Sequence, residues 1–226
     1  MVSKMREMSR PHIIINCAMS ADGKIALPTG KQMRISSDED MKRMYHLRNN
    51  CDAVLVGSGA VLSDDPKLTV KEKYVESVNQ PIRIVLDSQC KTPVNALVVD
   101  EKSRTIIFTD IRYQCDKKYK NNVEIIPVNK DENGYLDLYE ILNILNKKGI
   151  HSLLVEGGGT IIWNFIQSSL VDDLYVYIAP MIIGGKQTPT MVDGRGINDM
   201  KNIIQLRIID IKKIGEGMLV HYKIKM

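Results

Sequence analysis

The chain alternates short apolar runs with longer segments in which apolar residues recur at helical spacing. Several short runs are continuously apolar, as in Ala53–Val56 and Leu153–Val155. Strands that are apolar on both faces are typical of a parallel sheet covered by helices on both sides. The predicted strands are His12–Ala18, Ala53–Val56, Ile82–Leu86, Thr105–Thr109, Val123–Val128, Ser152–Val155, Leu174–Ala179, Ile203–Ile214 and Met218–Ile224.

The segments between these runs predict helices and turns. Helical spacing and end signals, such as the capping-box-like pair Ser37 and Asp40, favour three helices. They are Asp38–Asn50, Leu136–Lys148 and Thr160–Leu170. The last two strands flank Gly215-Glu216-Gly217, which indicates an antiparallel hairpin. Because no composition break marks a linker, we predict one α/β domain over residues 1–226, a mostly parallel central sheet flanked by helices with a C-terminal β-hairpin.

Composition excludes several classes of protein. Aromatic residues make up 5% of the chain and no basic run is interleaved with them, which argues against a nucleic-acid surface. The four cysteines form no CxxC pair, so we expect no metal site and reduced thiols. No apolar stretch is long enough for a membrane span, and we expect a cytoplasmic protein. The net charge of +4 is compatible with an anionic small-molecule substrate.

The sequence VEGGGT, Val155–Thr160, places an acid and three glycines between a predicted strand and a predicted helix. A helix N-terminus has unpaired N–H groups and a positive dipole end, and glycines let a phosphate approach the backbone. The spacing is not GxGxxG, so it gives no Rossmann fingerprint. A tight strand–helix turn that needs positive φ is the structural alternative.

Three other strand ends are also followed by Gly, Asp or Ser. After Val56, the segment reads GSGAVLSDD, where Asp64 or Asp65 could cap the turn or bind a ribose. After Leu86, Asp87-Ser88 with Lys91 could bind a ribose hydroxyl or a 2′-phosphate, which leaves NAD and NADP open. Asn16 lies near the end of the first strand.

The carboxyl ends of parallel strands meet at one edge of a sheet, so these groups are expected to converge there. Arg34 and Arg48 are candidates to bind phosphate, although exposed arginines are common. The loop over residues 183–200, rich in Gly, Pro, Thr and Asp, is a candidate lid or substrate loop. The convergence predicts a nucleotide and a second, phosphorylated ligand.

The chain resembles the riboflavin-biosynthesis reductases in six segments that occur in the family's order. They are MSADGKIA, RISSDED…LR, GSGAVLSDDPKLTVK, PIRIVLDS, LLVEGGGT and SLVDDLYVYIAPMIIGG. This family includes the C-terminal domain of the bacterial deaminase-reductase and stand-alone archaeal and fungal reductases. The resemblance implies a dihydrofolate-reductase-like fold, a homodimer, NADPH as hydride donor and a ribosylaminopyrimidinone 5′-phosphate as substrate. Zinc-deaminase motifs are absent from the sequence, which implies a monofunctional reductase acting on the 2,5-diamino form.

The resemblance also implies roles for individual residues. The cofactor-binding set is Ala18, Arg34, Ala60, Asp64, Ser88, Gly157, Gly158, Gly159 and Thr160. The substrate-binding set is Gln32, Arg48, Leu68, Lys71 and Glu156. Glu156 is also the candidate catalytic proton donor, at the tip of its strand.

The chain departs from the family pattern at two positions. Ala60 stands where relatives often have Thr, and Lys71 stands where many have Arg, which gives up bidentate phosphate binding. NADH remains possible as the donor. A pterin or folate reductase on the same fold and a non-catalytic nucleotide-binding module are the alternative functions.

Overall fold

The computed structural model describes residues 9–29 and 33–225. Its strands are β1 (His12–Ser20), β2 (Ala53–Gly57), β3 (Ile82–Leu86), β4 (Thr105–Asp110), β5 (Val123–Val128), β6 (Ser152–Val155), β7 (Asp173–Ala179), β8 (Leu206–Ile214) and β9 (Gly217–Ile224). Its α-helices are α1 (Asp38–Asn50), α2 (Ser58–Asp64), α3 (Leu138–Lys147) and α4 (Gly159–Gln167). Short 3-10 helices span Glu72–Tyr74, Leu97–Val99 and Met200–Asn202.

The nine strands form one sheet in the order β5-β4-β3-β2-β6-β1-β7-β9-β8. All neighbours from β5 to β7 are parallel, and β9 pairs antiparallel with both β7 and β8. The predicted mixed sheet and C-terminal hairpin are therefore confirmed. The interior strand β2 is buried along its whole length, as its continuous apolar run requires.

Helix ends follow local sequence. The hydroxyl of Ser37 accepts a hydrogen bond from the Asp40 N–H and begins α1. Asp137 accepts hydrogen bonds from two backbone N–H groups at the start of α3, and Gly149 adopts a φ of +80° just after that helix. No helix in the described part of the chain is long and apolar enough to cross a membrane.

Two predictions about local structure were wrong. The segment after β2, where the sequence predicted a turn, is a seven-residue helix, α2. The cysteines are not all free thiols, because Cys90 and Cys115 are joined as a disulfide with their Cα atoms 5.7 Å apart. This pairing ties the loop after β3 to the loop after β4, while Cys17 and Cys51 remain free.

Candidate active site

A cavity of about 1020 Å³ opens at the carboxyl ends of β1, β2, β3 and β6. This volume is at the upper end of the range for small-molecule sites, about 300–1,000 Å³. The four strands are neighbours in the sheet, so the predicted convergence of their ends is confirmed. The edge has room for a ligand because the chain leaves each strand there through a glycine, an acid or a small polar residue.

Most of the predicted site residues line this cavity. They are Ala18, Arg34, Arg48, Ala60, Asp64, Leu68, Lys71, Glu156, Gly157, Gly158, Gly159 and Thr160. Ser88 lies at the same sheet edge, where its carbonyl accepts a hydrogen bond from the Asp110 N–H, but it does not line the cavity. Gln32 lies outside the described residues.

The glycine turn joins β6 to α4 at the cavity wall. Gly157 has a φ of +122°, and its carbonyl accepts a hydrogen bond from the Gly57 N–H at 3.1 Å. A Cβ atom added at Gly157 or at Gly158 would meet nothing within 4 Å, so the backbone faces open space. Within the described residues no side chain caps α4, whose N-terminal N–H groups therefore remain available to an anion.

The two acids after β2 have different environments. Asp65, with a φ of +42°, ends α2, and its carboxylate accepts a hydrogen bond from the Leu97 N–H at 2.7 Å. Asp64 lines the cavity, and its Oδ1 is buried without a partner in the described part of the chain. Burial raises the pKa of Asp64. Asp65 therefore has a structural contact, whereas Asp64 is available to a ligand hydroxyl.

Arg48 and Glu156 form a bidentate ion pair across the cavity wall. Arg48 Nε donates to Glu156 Oε1 at 2.8 Å and its Nη2 donates to Oε2 at 2.7 Å, while Nη1 donates to the Thr69 carbonyl at 3.1 Å. Burial acts to lower the pKa of Arg48, but the charge and hydrogen bonds of Glu156 outweigh it and raise that pKa. The strand-tip glutamate is therefore a partner of a cation.

Lys71 and Tyr45 extend this cationic region. The Lys71 ammonium and the Arg48 guanidinium each lie 5.4 Å from the centre of the Tyr45 ring. An aromatic residue at helical spacing in α1 is typical of a core position, so no signal in the sequence separates Tyr45 from packing residues.

Asn16, which the sequence places near the end of the first strand, is a buried polar residue on the cavity wall. Its Oδ1 accepts a hydrogen bond from Arg43 Nη2 at 2.6 Å, and Arg43 is itself held by the buried carboxylate of Asp40. The amide of Asn16 is thereby fixed in orientation.

The neighbouring Cys17 also lines the cavity, and burial raises the pKa of its thiol to about 12, so it is not a nucleophile at neutral pH.

The loop over residues 183–200 contributes Pro189 and Asp193 to the cavity lining. The Thr190 hydroxyl donates to Asp193 Oδ1 at 2.6 Å. The loop is anchored at its start by Asp22, whose carboxylate accepts hydrogen bonds from the N–H groups of residues 183 and 184. The loop therefore lies at the cavity wall, and its role as a lid or substrate loop stays a prediction. Asp193 is a contribution to the wall that the sequence alone did not single out.

The profile of the RibD C-terminal domain family matches residues 11–220 of the chain. The 2,5-diamino-6-ribosylamino-4(3H)-pyrimidinone 5′-phosphate reductase of Methanothermobacter thermautotrophicus is 37% identical over 218 residues, which cover 96% of this chain and 99% of that protein.

Two solved structures show the same fold. The riboflavin biosynthesis reductase Rib7 of Saccharomyces cerevisiae matches with a TM-score of 0.75 at 19% identity, covering 98% of this chain and 93% of that one. Dihydrofolate reductase of Enterococcus faecalis, in complex with NADP(H) and RAB-propyl, matches with a TM-score of 0.55 at 12% identity, covering 95% and 97%. The dihydrofolate-reductase-like fold is confirmed, and the chain belongs to the RibD C-terminal domain family.

Proposed function

We propose that this protein is an NADPH-dependent reductase of riboflavin biosynthesis. It converts the ribosylamino side chain of 2,5-diamino-6-ribosylamino-4(3H)-pyrimidinone 5′-phosphate to ribitylamino by hydride transfer to ribose C1. The observation that carries this proposal is a single cavity that combines an uncapped helix N-terminus at open glycines with two cations, Arg48 and Lys71. The full-length similarity to the Methanothermobacter reductase supports the same reaction.

The chain's own residues fit a nicotinamide dinucleotide. Gly157 and Gly158 leave the backbone open at the start of α4, where a pyrophosphate is favoured by free N–H groups. The buried, unpartnered Oδ1 of Asp64 suits a ribose hydroxyl. Ser88 follows β3 at the same edge and is our candidate for the 2′-phosphate of NADPH, although NADH remains possible.

The substrate's phosphate is assigned to Arg48 and Lys71. Of the five guanidinium N–H groups, three donate to Glu156 and Thr69, which leaves one on each Nη atom for an oxyanion. Arg48 can therefore hold Glu156 along one side and a phosphate at its end. Lys71 adds a second positive charge from the segment that follows Leu68, whose side chain is buried.

The reaction adds one hydride and one proton to the opened ribosylamine. When bound, the reduced nicotinamide supplies the hydride. The protein fixes the substrate through its phosphate and its pyrimidine and excludes water from C1. Glu156 is our candidate proton donor. Because a carboxylate paired with the Arg48 guanidinium carries no proton of its own, a substrate group or a water must first bring a proton to Glu156. Its other role is to hold the Arg48 guanidinium in place.

The test is the loss of reduced nicotinamide absorbance by the purified protein with the diaminoribosylaminopyrimidinone phosphate. NADPH and NADH are compared side by side, and dihydrofolate is the control for a folate-type reductase. Turnover of the phosphate substrate alone is expected. Turnover of dihydrofolate would favour the alternative reductase, and binding of NADPH without turnover of either substrate would favour a non-catalytic module.

We further propose a cytoplasmic homodimer built from single-domain subunits. The edge strand β8 exposes Ile208, Ile209 and Ile211, and exposed apolar residues on an edge strand favour pairing with a second copy. Sedimentation of wild type and of Ile211→Lys tests this assignment. A wild-type monomer, or a dimer that the substitution leaves intact, would argue against pairing through β8.

A further inference from the structure

Tyr45 joins the two cations assigned to the substrate's phosphate. Its side chain is 4% exposed, on α1, and it lines the cavity. The Arg48 guanidinium and the Lys71 ammonium each lie 5.4 Å from its ring centre. The Tyr74 ring stacks on it with centres 4.6 Å apart and planes inclined by 10°. One ring therefore contacts both charges and is itself fixed by a second ring.

The two cations depend on this ring to different degrees. Arg48 is already fixed by its hydrogen bonds to Glu156 and to the Thr69 carbonyl. Lys71 is exposed, and within residues 9–29 and 33–225 its ammonium makes no hydrogen bond or ion pair. Among those residues, its electrostatic contact is the cation–π interaction with the Tyr45 ring. A lysine side chain loses about 1.5–2 kcal/mol of rotamer entropy when it is ordered, and a ring that already restricts it reduces that cost on ligand binding.

The backbone beneath Lys71 is anchored as well. The Gln80 side chain accepts a hydrogen bond from the Val70 N–H at 2.8 Å and donates to the Val70 carbonyl at 3.0 Å. The Lys71 carbonyl accepts a hydrogen bond from the Tyr74 N–H at 3.0 Å. With its main chain held on both sides, the position of the Lys71 ammonium is decided by its side-chain torsions, which the Tyr45 ring selects.

We propose that Tyr45 is a positioning residue for recognition of the substrate's 5′-phosphate, an inference that rests on the proposed function. Its ring holds the Lys71 ammonium beside the Arg48 guanidinium, so that both cations meet the phosphate without further ordering. Tyr45 touches no reacting atom in this scheme. It acts through Lys71 and sets the affinity for the phosphorylated end of the substrate.

The test compares Tyr45→Leu, which removes the ring, with Tyr45→Phe, which retains it. A cation–π contact of about 0.5–1 kcal/mol corresponds to a rise in KM of about two- to fivefold. We expect Tyr45→Leu to raise KM for the phosphorylated substrate by this factor, with kcat and the KM for NADPH unchanged. The dephosphorylated substrate should show no such rise, and Tyr45→Phe should restore the wild-type KM.

A double variant separates positioning from general packing. In the Lys71→Met background, Tyr45→Leu should add little further loss, because the group on which it acts is gone. A loss of equal size with both forms of the substrate, or equal losses with and without Lys71, would overturn the inference. Melting temperatures of all variants identify any that are simply unfolded, and the Tyr45→Phe result then decides the role of the ring.

Binding of ribose 5-phosphate, measured by calorimetry against ribose, keeps this inference separate from the reductase assignment. If wild type binds ribose 5-phosphate more tightly than Tyr45→Leu, the positioning role stands whatever the turnover assay gives. If the two proteins bind it equally, the role is refuted even where reductase activity is present. Absence of turnover with wild type would refute the proposed reaction alone.

Discussion

Removing both members of the Arg48–Glu156 pair should destabilise the protein no more than removing one. The side chains are 13% and 10% exposed, and two hydrogen bonds of 2.7–2.8 Å join them. Loss of one partner from a buried pair typically costs about 3–5 kcal/mol, because the other charge is left uncompensated. Since this pair borders a cavity that admits water, we expect the lower figure, about 3 kcal/mol, for Glu156→Gln and for Arg48→Met.

The free energy of unfolding is measurable by urea denaturation, followed by the fluorescence of Trp163, the single tryptophan of the chain. It is buried in α4, close to the glycine turn, and its emission should change on unfolding. In the double variant no charge remains unpaired, so its cost should not exceed that of one single substitution. The coupling energy of the cycle is then about 3 kcal/mol, at the upper end for contacting residues.

Additive costs, with a coupling energy below about 0.5 kcal/mol, would refute this reasoning, because contacting residues should not behave as independent sites. A changed denaturant slope in either single variant would invalidate the comparison, so slopes are checked first. Glu156→Gln should also reduce turnover far more than affinity for NADPH, since Glu156 faces the substrate in the proposed function. Unchanged turnover would rule out its catalytic role.

Three further predictions concern the glycine turn, the loop anchor and the cysteines. Gly158→Ala should weaken NADPH binding without loss of stability, because the added Cβ meets nothing in the free protein. Gly159→Ala should lower the free energy of unfolding by about 1–3 kcal/mol in urea denaturation, because its Cβ would lie 2.8 Å from the residue 190 carbonyl. Equal stability of the two variants would contradict this. Hydrogen bonds from a hydroxyl and from the N–H groups of residues 183 and 184 lower the pKa of Asp22 to about 2, so the stability that the carboxylate contributes is present above about pH 4 and is lost as pH falls towards 2. The melting temperatures of wild type and Asp22→Asn should therefore converge over that range. A difference that stays constant with pH would count against this role of Asp22. Alkylation of the unfolded, unreduced protein should leave Cys90 and Cys115 unmodified. Reduction should lower the melting temperature, since a disulfide typically contributes about 2–4 kcal/mol of stability. Four reactive thiols in the unreduced protein would exclude the disulfide.

Elements with strong local signals could be predicted from the sequence. The bounds of α1 match the prediction because helical spacing and the Ser37 cap agree. Strands β3, β5 and β6 also match, because each is rich in apolar residues and is bounded by turn residues. Helix α2 was missed because Gly57-Ser58-Gly59 has poor helix propensity, and this short helix packs against β2 in the folded chain.

Part of the site was predictable from the rule that the carboxyl ends of parallel strands meet at one edge of a sheet. That rule brought Glu156 and the glycine turn to the cavity, Arg48 was already a candidate as an arginine that could bind phosphate, and the family resemblance added Lys71. It could not give the pairing of Arg48 with Glu156, because these residues are 108 positions apart and no local pattern links them. Nor could it find Tyr45, whose contacts with two cations depend on how α1 packs against the 3-10 helix Glu72–Tyr74.

Strand β6 lies between β1 and β2, although it begins 132 residues after the end of β1 and 95 residues after the end of β2. A ribosome therefore releases two apolar strands long before the four-residue strand that bridges them. Until Ser152–Val155 emerges, β2 keeps one open hydrogen-bonding edge and β1 keeps both, because its other partner, β7, lies still later in the chain. Nascent chains with such open edges aggregate or bind chaperones. A message cut short before this point would yield an insoluble fragment and no partly active enzyme.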